Sequence, residues 1–429
     1  MKKIFLITLL GLLATAALTA EGGIDFSGEV SSRWGLAAPW TDSDTAAGRF
    51  TIGDLSFTGT IDAYYDKSSA LAEGSLSYDA VKNELSYSMD ELWVDYTDSF
   101  WGIRIGRQKS AWGKADGIDI TNVLCPSDMS SLAAMTNDDS KLGVDAIRLS
   151  FSGNQFTADA YWIPFFTPVA LPDEILAQLE IEKPELAIWN GEYGLKVSGY
   201  FSALDVSLYG FYGWEDIPFA EYSIDPASLM TMSPVVTASG KYEHLAMIGA
   251  DAALPIGETV LRLETAFFPQ RFFQKKAENV VEEKITNLTV AMMTGTEPAD
   301  AASTEKHNQL AALAGIDWMP DGWTLTAQYY CDLVFGDIES LERQDKYQHG
   351  ATLSLTKSLV NETLELGLAG ILGFNDFDSL ISPSVKYSLS DQISLGATAY
   401  IFIPGPENDG KYGAYKDLSS LCINAKFSF

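Results

Sequence analysis

Apolar and polar residues alternate with a period of two in segment after segment of this 429-residue chain. Leu55, Phe57, Gly59, Ile61 and Ala63 alternate with Ser56, Thr58, Thr60 and Asp62. Leu204, Val206, Leu208 and Gly210 alternate with Asp205, Ser207 and Tyr209, and Leu364, Leu366 and Leu368 with Glu365 and Gly367. Residues two apart on an extended strand share a face, so each segment has one apolar and one polar side. There are about eighteen such segments (16–18) of roughly ten residues, the length that crosses a bilayer as a tilted strand. Their spans are 24–34, 51–65, 69–79, 84–97, 101–108, 143–153, 155–163, 192–202, 204–214, 241–254, 258–268, 308–319, 322–335, 347–357, 362–373, 379–389, 391–402 and 416–429.

The connections choose between a sandwich and a barrel. Every second one is tight, as at Asp66–Ser68, Gly153-Asn154, Pro255–Gly257, Pro320–Gly322 and Ser390-Asp391, and carries turn-forming residues. The alternate ones are often long, as at 35–50, 109–142, 164–191, 215–240 and 269–307. Short turns at one end and long loops at the other are the pattern of an outer-membrane barrel. The fold class expected is therefore all-β, a transmembrane antiparallel up-and-down β-barrel. Aromatic residues fall beside both kinds of connection. Tyr96, Phe100, Trp101, Trp318 and Trp323 flank short turns; Trp162, Phe165, Phe166, Trp214, Phe267, Phe268, Phe335 and Phe402 flank long ones. That distribution reads as two interfacial belts.

Residues 1–20 read as an export signal, with Lys2 and Lys3, an apolar run Ile4–Leu13 and a cleavage site after Ala20. The barrel then comprises 21–429. The last strand alternates Leu421, Ile423, Ala425, Phe427 and Phe429 on one face and resembles the carboxy-terminal signal read by outer-membrane insertion machinery. The expected partners are outer-membrane lipids, that machinery and small-molecule solutes, with a homo-oligomer left open. Formal net charge is −30, and −32 once the two leader lysines are gone, which argues against nucleic acid. Cys125, Cys331 and Cys422 are scattered and form no disulfide framework.

The most distinctive segment follows the fifth strand. It runs Gly106-Arg107-Gln108, then Trp112-Gly113, Asp116, Asn122, Pro126 and Asp128. From Arg104 to Asp128 it resembles the DUF1302 family of bacterial outer-membrane barrels and is loosely similar to alginate-export porins. The resemblance implies an outer-membrane channel without specifying a solute. Residues 109–142 are rich in Gly, Asp and Asn and are expected to fold into the lumen; the competing reading is an ordinary external loop. Alternation points Glu91, Asp95, Arg104, Gln108, Arg148 and Asp159 inward as pore-lining or constriction candidates. Opposed charges on one inner wall either select solutes by sign or brace the wall.

Enzyme chemistry finds no support. His244, His307 and His349 stand apart, with no metal, triad or phosphate-loop pattern, and no cofactor is expected. His349 near Ser354 is a weak match to a barrel hydrolase. Residues 171–188 are expected to hold a short helix. The favoured function is an outer-membrane porin or channel; the alternatives are an adhesin or structural barrel with a plugged lumen, and a barrel enzyme.

Overall fold

The computed structural model describes residues 22–38, 40, 48–136, 140–176, 180–229, 234–407 and 410–429; the expected export signal at 1–20 lies outside them. Eighteen strands form the wall. They are β1 (Gly23–Ala37), β2 (Phe50–Tyr65), β3 (Ser68–Asp79), β4 (Glu84–Thr97), β5 (Trp101–Gln108) and β6 (Val144–Ser152). Next come β7 (Phe156–Ile163), β8 (Glu192–Tyr200), β9 (Asp205–Trp214), β10 (His244–Ile256), β11 (Thr259–Gln274) and β12 (Thr304–Trp318). The last six are β13 (Trp323–Val334), β14 (Tyr347–Leu359), β15 (Leu364–Gly373), β16 (Ser379–Ser388), β17 (Ile393–Ile403) and β18 (Ser420–Ser428). Each pairs antiparallel with its neighbours in chain order, and β1 also pairs with β18 from Glu29↔Ser428 to Ala37↔Ser420. The sheet therefore closes into a barrel with no free edge. The eighteen alternating segments of the sequence correspond to these strands one for one.

Burial is inverted relative to a water-soluble protein. Outward Leu208, Ile248 and Leu263 are 63%, 66% and 59% exposed, whereas inward Asp251, Glu264 and Gln328 are 4%, 3% and 4% exposed. An apolar exterior around a polar interior suits lipid outside and polar contents inside. Of the aromatics flanking connections, Tyr96, Phe100, Trp318 and Trp323 are exposed at the short-turn end, and Phe165, Phe267 and Phe335 at the other. Phe268 and Phe402 depart from the belts: both are buried and face inward. Leu208→Arg should cost about 2–4 kcal/mol of stability and Ser77→Arg, on an inner wall, much less. Urea unfolding of the lipid-refolded protein measures both, and equal losses would contradict the assigned faces.

Three register irregularities mark the described wall, one of them at Gly35/Leu36 between β1 and β2. Between β3 and β4, Glu73 pairs with Glu91 but Gly74 with Met89, so Asp90 is an extra residue and joins Glu91 on the inner side, where it accepts from Ser75 Oγ at 2.5 Å. The β11–β12 hairpin shifts register between Phe268 and Arg271, with Gln270 at φ 50°, and continues past the predicted spans to Gln274 and Thr304.

The long connections build a layer over one end. Phe219–Ile224 and Val236–Lys241 pair antiparallel, and Glu180–Glu182 joins the latter in parallel. An 18-residue helix, Ala277–Thr294, docks on this sheet through Lys284 Nζ, which reaches Glu221 Oε1 and the Tyr222 carbonyl, each at 2.6 Å. This helix lies in a segment read as loop. It buries only Val280 and Ala291, so its apolar stripe is faint in the sequence. Of the helix expected in 171–188, Asp173–Leu176 is α-helical among the described residues.

Candidate functional site

The segment after β5 packs against the inner face of the opposite wall. Trp112 rests on Tyr161 and Tyr209, with ring centroids 5.9 and 5.1 Å away, and its backbone N–H donates to Asn122 Oδ1 at 3.1 Å. Gly113 adopts φ +90°, and a Cβ there would sit 2.4 Å from the Glu264 carboxylate; both facts require glycine. Glu264, on β11, then accepts four hydrogen bonds. They come from the backbone of Lys114 (2.6 Å), Ala115 (2.8 Å) and Thr121 (2.8 Å) and from Thr121 Oγ1 (2.8 Å). A carboxylate this buried is tolerable only with such donors. Gln328, on β13, exchanges two bonds with the Asp116 backbone at 3.0 and 2.6 Å. On its way back the segment presents the Ala133 carbonyl to Arg33 of β1 at 2.8 Å, so it bridges widely separated parts of the wall.

The rest of the motif shapes the loop internally. Asn122 Nδ2 donates to Asp119, which pairs with Lys141 at 2.6 Å. Pro126 is fully buried, and its carbonyl accepts from Leu142 N at 2.8 Å. Asp128 Oδ1 holds Ser130 N and Oγ at 2.9 and 2.6 Å. Cys125 Sγ accepts from Ser110 N at 3.3 Å, and burial pushes its thiol up to about 11, so it stays protonated.

Of the wall candidates, three meet. Asp95, Arg104 and Arg148 lie in one cross-strand row over β4, β5 and β6. Arg104 Nε donates to Asp95 Oδ2 at 3.1 Å, and its guanidinium lies 3.6 Å over the Trp93 ring. Arg148 Nη2 stands 4.0 Å from the same oxygen, and its Nε has no partner among the described residues. Asp159 is one row away and accepts from Ser150 Oγ at 2.5 Å. Glu91 accepts the Lys109 N–H at 2.8 Å where the segment leaves β5. Gln108 is 1% exposed and donates to the Ala146 carbonyl at 3.0 Å; its side chain is packed away and lines no open space.

The remaining inner wall, on β1 to β4, carries rows of hydroxyls. Ser31–Ser56, Thr58–Ser75 and Ser77–Ser86 pair at 2.7, 3.1 and 3.0 Å. Thr60 donates to Glu73 at 3.0 Å, and Arg33 pairs with Asp54 at 3.3 Å.

A family model described as "Protein of unknown function (DUF1302)" matches residues 49–413, a span that takes in the inserted segment and both of its anchors. The chain belongs to the DUF1302 family. Its DUF1302 barrel is similar in structure to OccAB1 of Acinetobacter baumannii, with a TM-score of 0.55 and 9% identity over 96% of this chain and 97% of that one. The outer-membrane channel DcaP of the same organism gives 0.46 at 8% identity, covering 95% and 97% of the two chains. Salmonella typhi OmpF gives 0.42 at 9%, again with 95% and 97% covered. The OccAB1 match shows a shared barrel fold. No curated protein matches the chain.

Sequence reasoning missed the anchors of this DUF1302 loop. Glu264 was findable, since it alternates with Leu263 and Thr265 inside a recognised segment, and the same applies to Gln328 between Ala327 and Tyr329. Beside them, Tyr209 bonds Asp251 and Arg262 pairs with Asp317.

Above β9, the Asp216 carboxyl is raised from 3.8 to about 7, chiefly by burial and then by neighbouring Glu215. An acid whose folded pKa lies above its unfolded one disfavours folding once deprotonated. Order in residues 215–229 should therefore decline as pH rises from about 4 through about 7, and level off beyond. Protease sensitivity of that segment against pH measures this; Asp216→Asn should remove the slope.

Proposed function

We propose that this protein is an outer-membrane channel for small polar solutes, with segment 109–142 as its constriction. The single observation carrying the reading is that this segment enters the barrel and is fastened to Glu264 and Gln328 on the far wall. An external loop would have no reason to present its backbone donors to a buried inner-wall carboxylate. Solutes then pass between the loop and the hydroxyl- and carboxylate-bearing wall of β1 to β4. Acidic groups there concentrate cations, and the Asp95–Arg104–Arg148 row is a local positive feature within that field. The apolar exterior supports outer-membrane placement, and the loop-length rhythm supports long connections outside and short turns in the periplasm.

Planar-bilayer recording of the refolded protein tests the proposal: discrete conductance steps are expected. A protein that inserts and never conducts would remove the channel reading. The second reading, a plugged structural barrel or adhesin, would then stand; it draws on the apolar packing of Trp112, Ile120 and Leu124 against Tyr209, Met247 and Leu313.

A further inference from the structure

Above the tip of the inserted segment, at the long-loop end, lies a cavity of about 480 Å³. That is within the range of small-molecule sites. Its lining is divided by chemistry. Ile118 and Ile120 of the segment, with Phe268 and Ala311 of the wall, make an apolar floor. Tyr330, Gln348, Asn375 and Tyr412 give a rim of neutral amide and phenol groups. The Gln348 side chain makes no hydrogen bond among the described residues, and its exposed amide is available to a solute.

The charged groups at the cavity, the exposed Lys411 apart, are already matched, Asp376 included. Arg271 forks onto Glu215 at 2.6 and 2.8 Å and donates to Gln309 at 2.8 Å. Asp332 is held by Arg343 at 2.5 and 3.3 Å, and Asp119 by Lys141 at 2.6 Å. Asp378 accepts the Tyr412 N–H at 2.5 Å, and Lys411 lies across the Tyr412 ring at 5.7 Å. Apart from Lys411, a charged solute would meet only matched charges, and pairing with one of them would leave its partner uncompensated. A hydroxyl, which donates and accepts at once, can join the edge of each pair without breaking it.

We propose that this cavity is a recognition site for a neutral, polyhydroxylated solute of mono- to disaccharide size. A pyranose offers apolar C–H faces to a floor such as Phe268 and Ile120, and a hydroxyl rim to Gln348 and the phenols; the Asn375 amide is committed to His349 N, Asp345 and the Tyr347 carbonyl. The site stands at the outer mouth, so a solute would be held there before reaching the constriction; in that respect the proposal rests on the channel reading.

Titration calorimetry of the full protein in detergent tests it with sucrose and maltose against glucose 6-phosphate and glucosamine. The neutral disaccharides should bind in roughly the millimolar range, and the charged sugars at least about tenfold more weakly. Gln348→Leu and Tyr330→Phe should each weaken sucrose binding about fivefold or more. Both variants should keep the parent's heat-modifiable migration and its conductance. No binding of the neutral sugars, or equal binding of the charged ones, would overturn the assignment. Calorimetry needs no open pore: binding without conductance removes the channel alone, and conductance without binding removes this site alone.

Discussion

Glu264→Ala should raise single-channel conductance severalfold while leaving the barrel's heat stability nearly unchanged. The carboxylate is the sole acceptor shown for the backbone N–H groups of Lys114, Ala115 and Thr121 and for the Thr121 hydroxyl. Each buried donor left unsatisfied costs about 1–3 kcal/mol, so the inserted conformation loses several kcal/mol at one stroke. The apolar packing of Trp112, Ile120 and Leu124, the Gln328–Asp116 exchange and the bonds of Gly113 N to Tyr209 and of Arg262 to the Lys114 carbonyl remain, but none satisfies the donors that Glu264 leaves, and the tip of the segment should move away from the wall to where water does. The strand ladders do not involve the segment, which is why the wall should survive. Glu264→Gln keeps one acceptor oxygen and should fall between. A Glu264→Ala channel with parental conductance would show that the segment does not restrict flow.

The second large effect is on selectivity. Replacing Arg104 and Arg148 together by Gln should move the cation-to-anion permeability ratio severalfold toward cations. Two guanidiniums share one carboxylate here, and only Arg104 is within hydrogen-bond range of it. Arg104 also lies over Trp93, so it is the bracing member, whereas Arg148 carries the uncompensated charge. The single variants should therefore divide the effect. Arg148→Gln should change the ratio with little loss of stability, and Arg104→Gln should cost about 1.5–3 kcal/mol, because buried Asp95 then keeps only Thr97 Oγ1 at 2.8 Å and the more distant Arg148. Reversal potentials under a salt gradient give the ratio, and thermal unfolding gives the brace. A double variant with reduced heat stability and an unchanged ratio would reduce the row to scaffolding.

The wall was legible because a membrane barrel writes itself into the chain at every second residue: Leu263 outside and Glu264 inside are neighbours in sequence. Loop-length rhythm gave the two ends. The bulge at Asp90 was hidden, since an inserted residue shows only as two acids in a row, and nothing in Asp90-Glu91 says that both turn inward. The helix Ala277–Thr294 was hidden by its weak apolar face. Within the site, strand parity placed Arg104 and Arg148 but could not tell that Gln108 would be covered, since that depends on the path of the segment after it. The meaning of Gly113 was out of reach in the same way. A glycine in a loop is common, and only the approach of a carboxylate from a distant strand explains why this one carries no side chain.

The separation along the chain between the segment and its anchors has a consequence for assembly. Thr121 and Glu264 are 143 residues apart, and Asp116 and Gln328 are 212 apart. Contacts over such distances form only after the intervening chain has been ordered. The inserted segment can therefore be fastened only once β11 and β13 stand in the wall, late in the strand order. Closure itself waits for β18 to pair with β1, so both anchor strands stand in the wall by the time the barrel closes, and the segment can lock across the lumen as it does. For the cell that builds it, a barrel that closes with its segment fastened never stands as an unrestricted hole, and it is the burial of one carboxylate that would make this order of events possible.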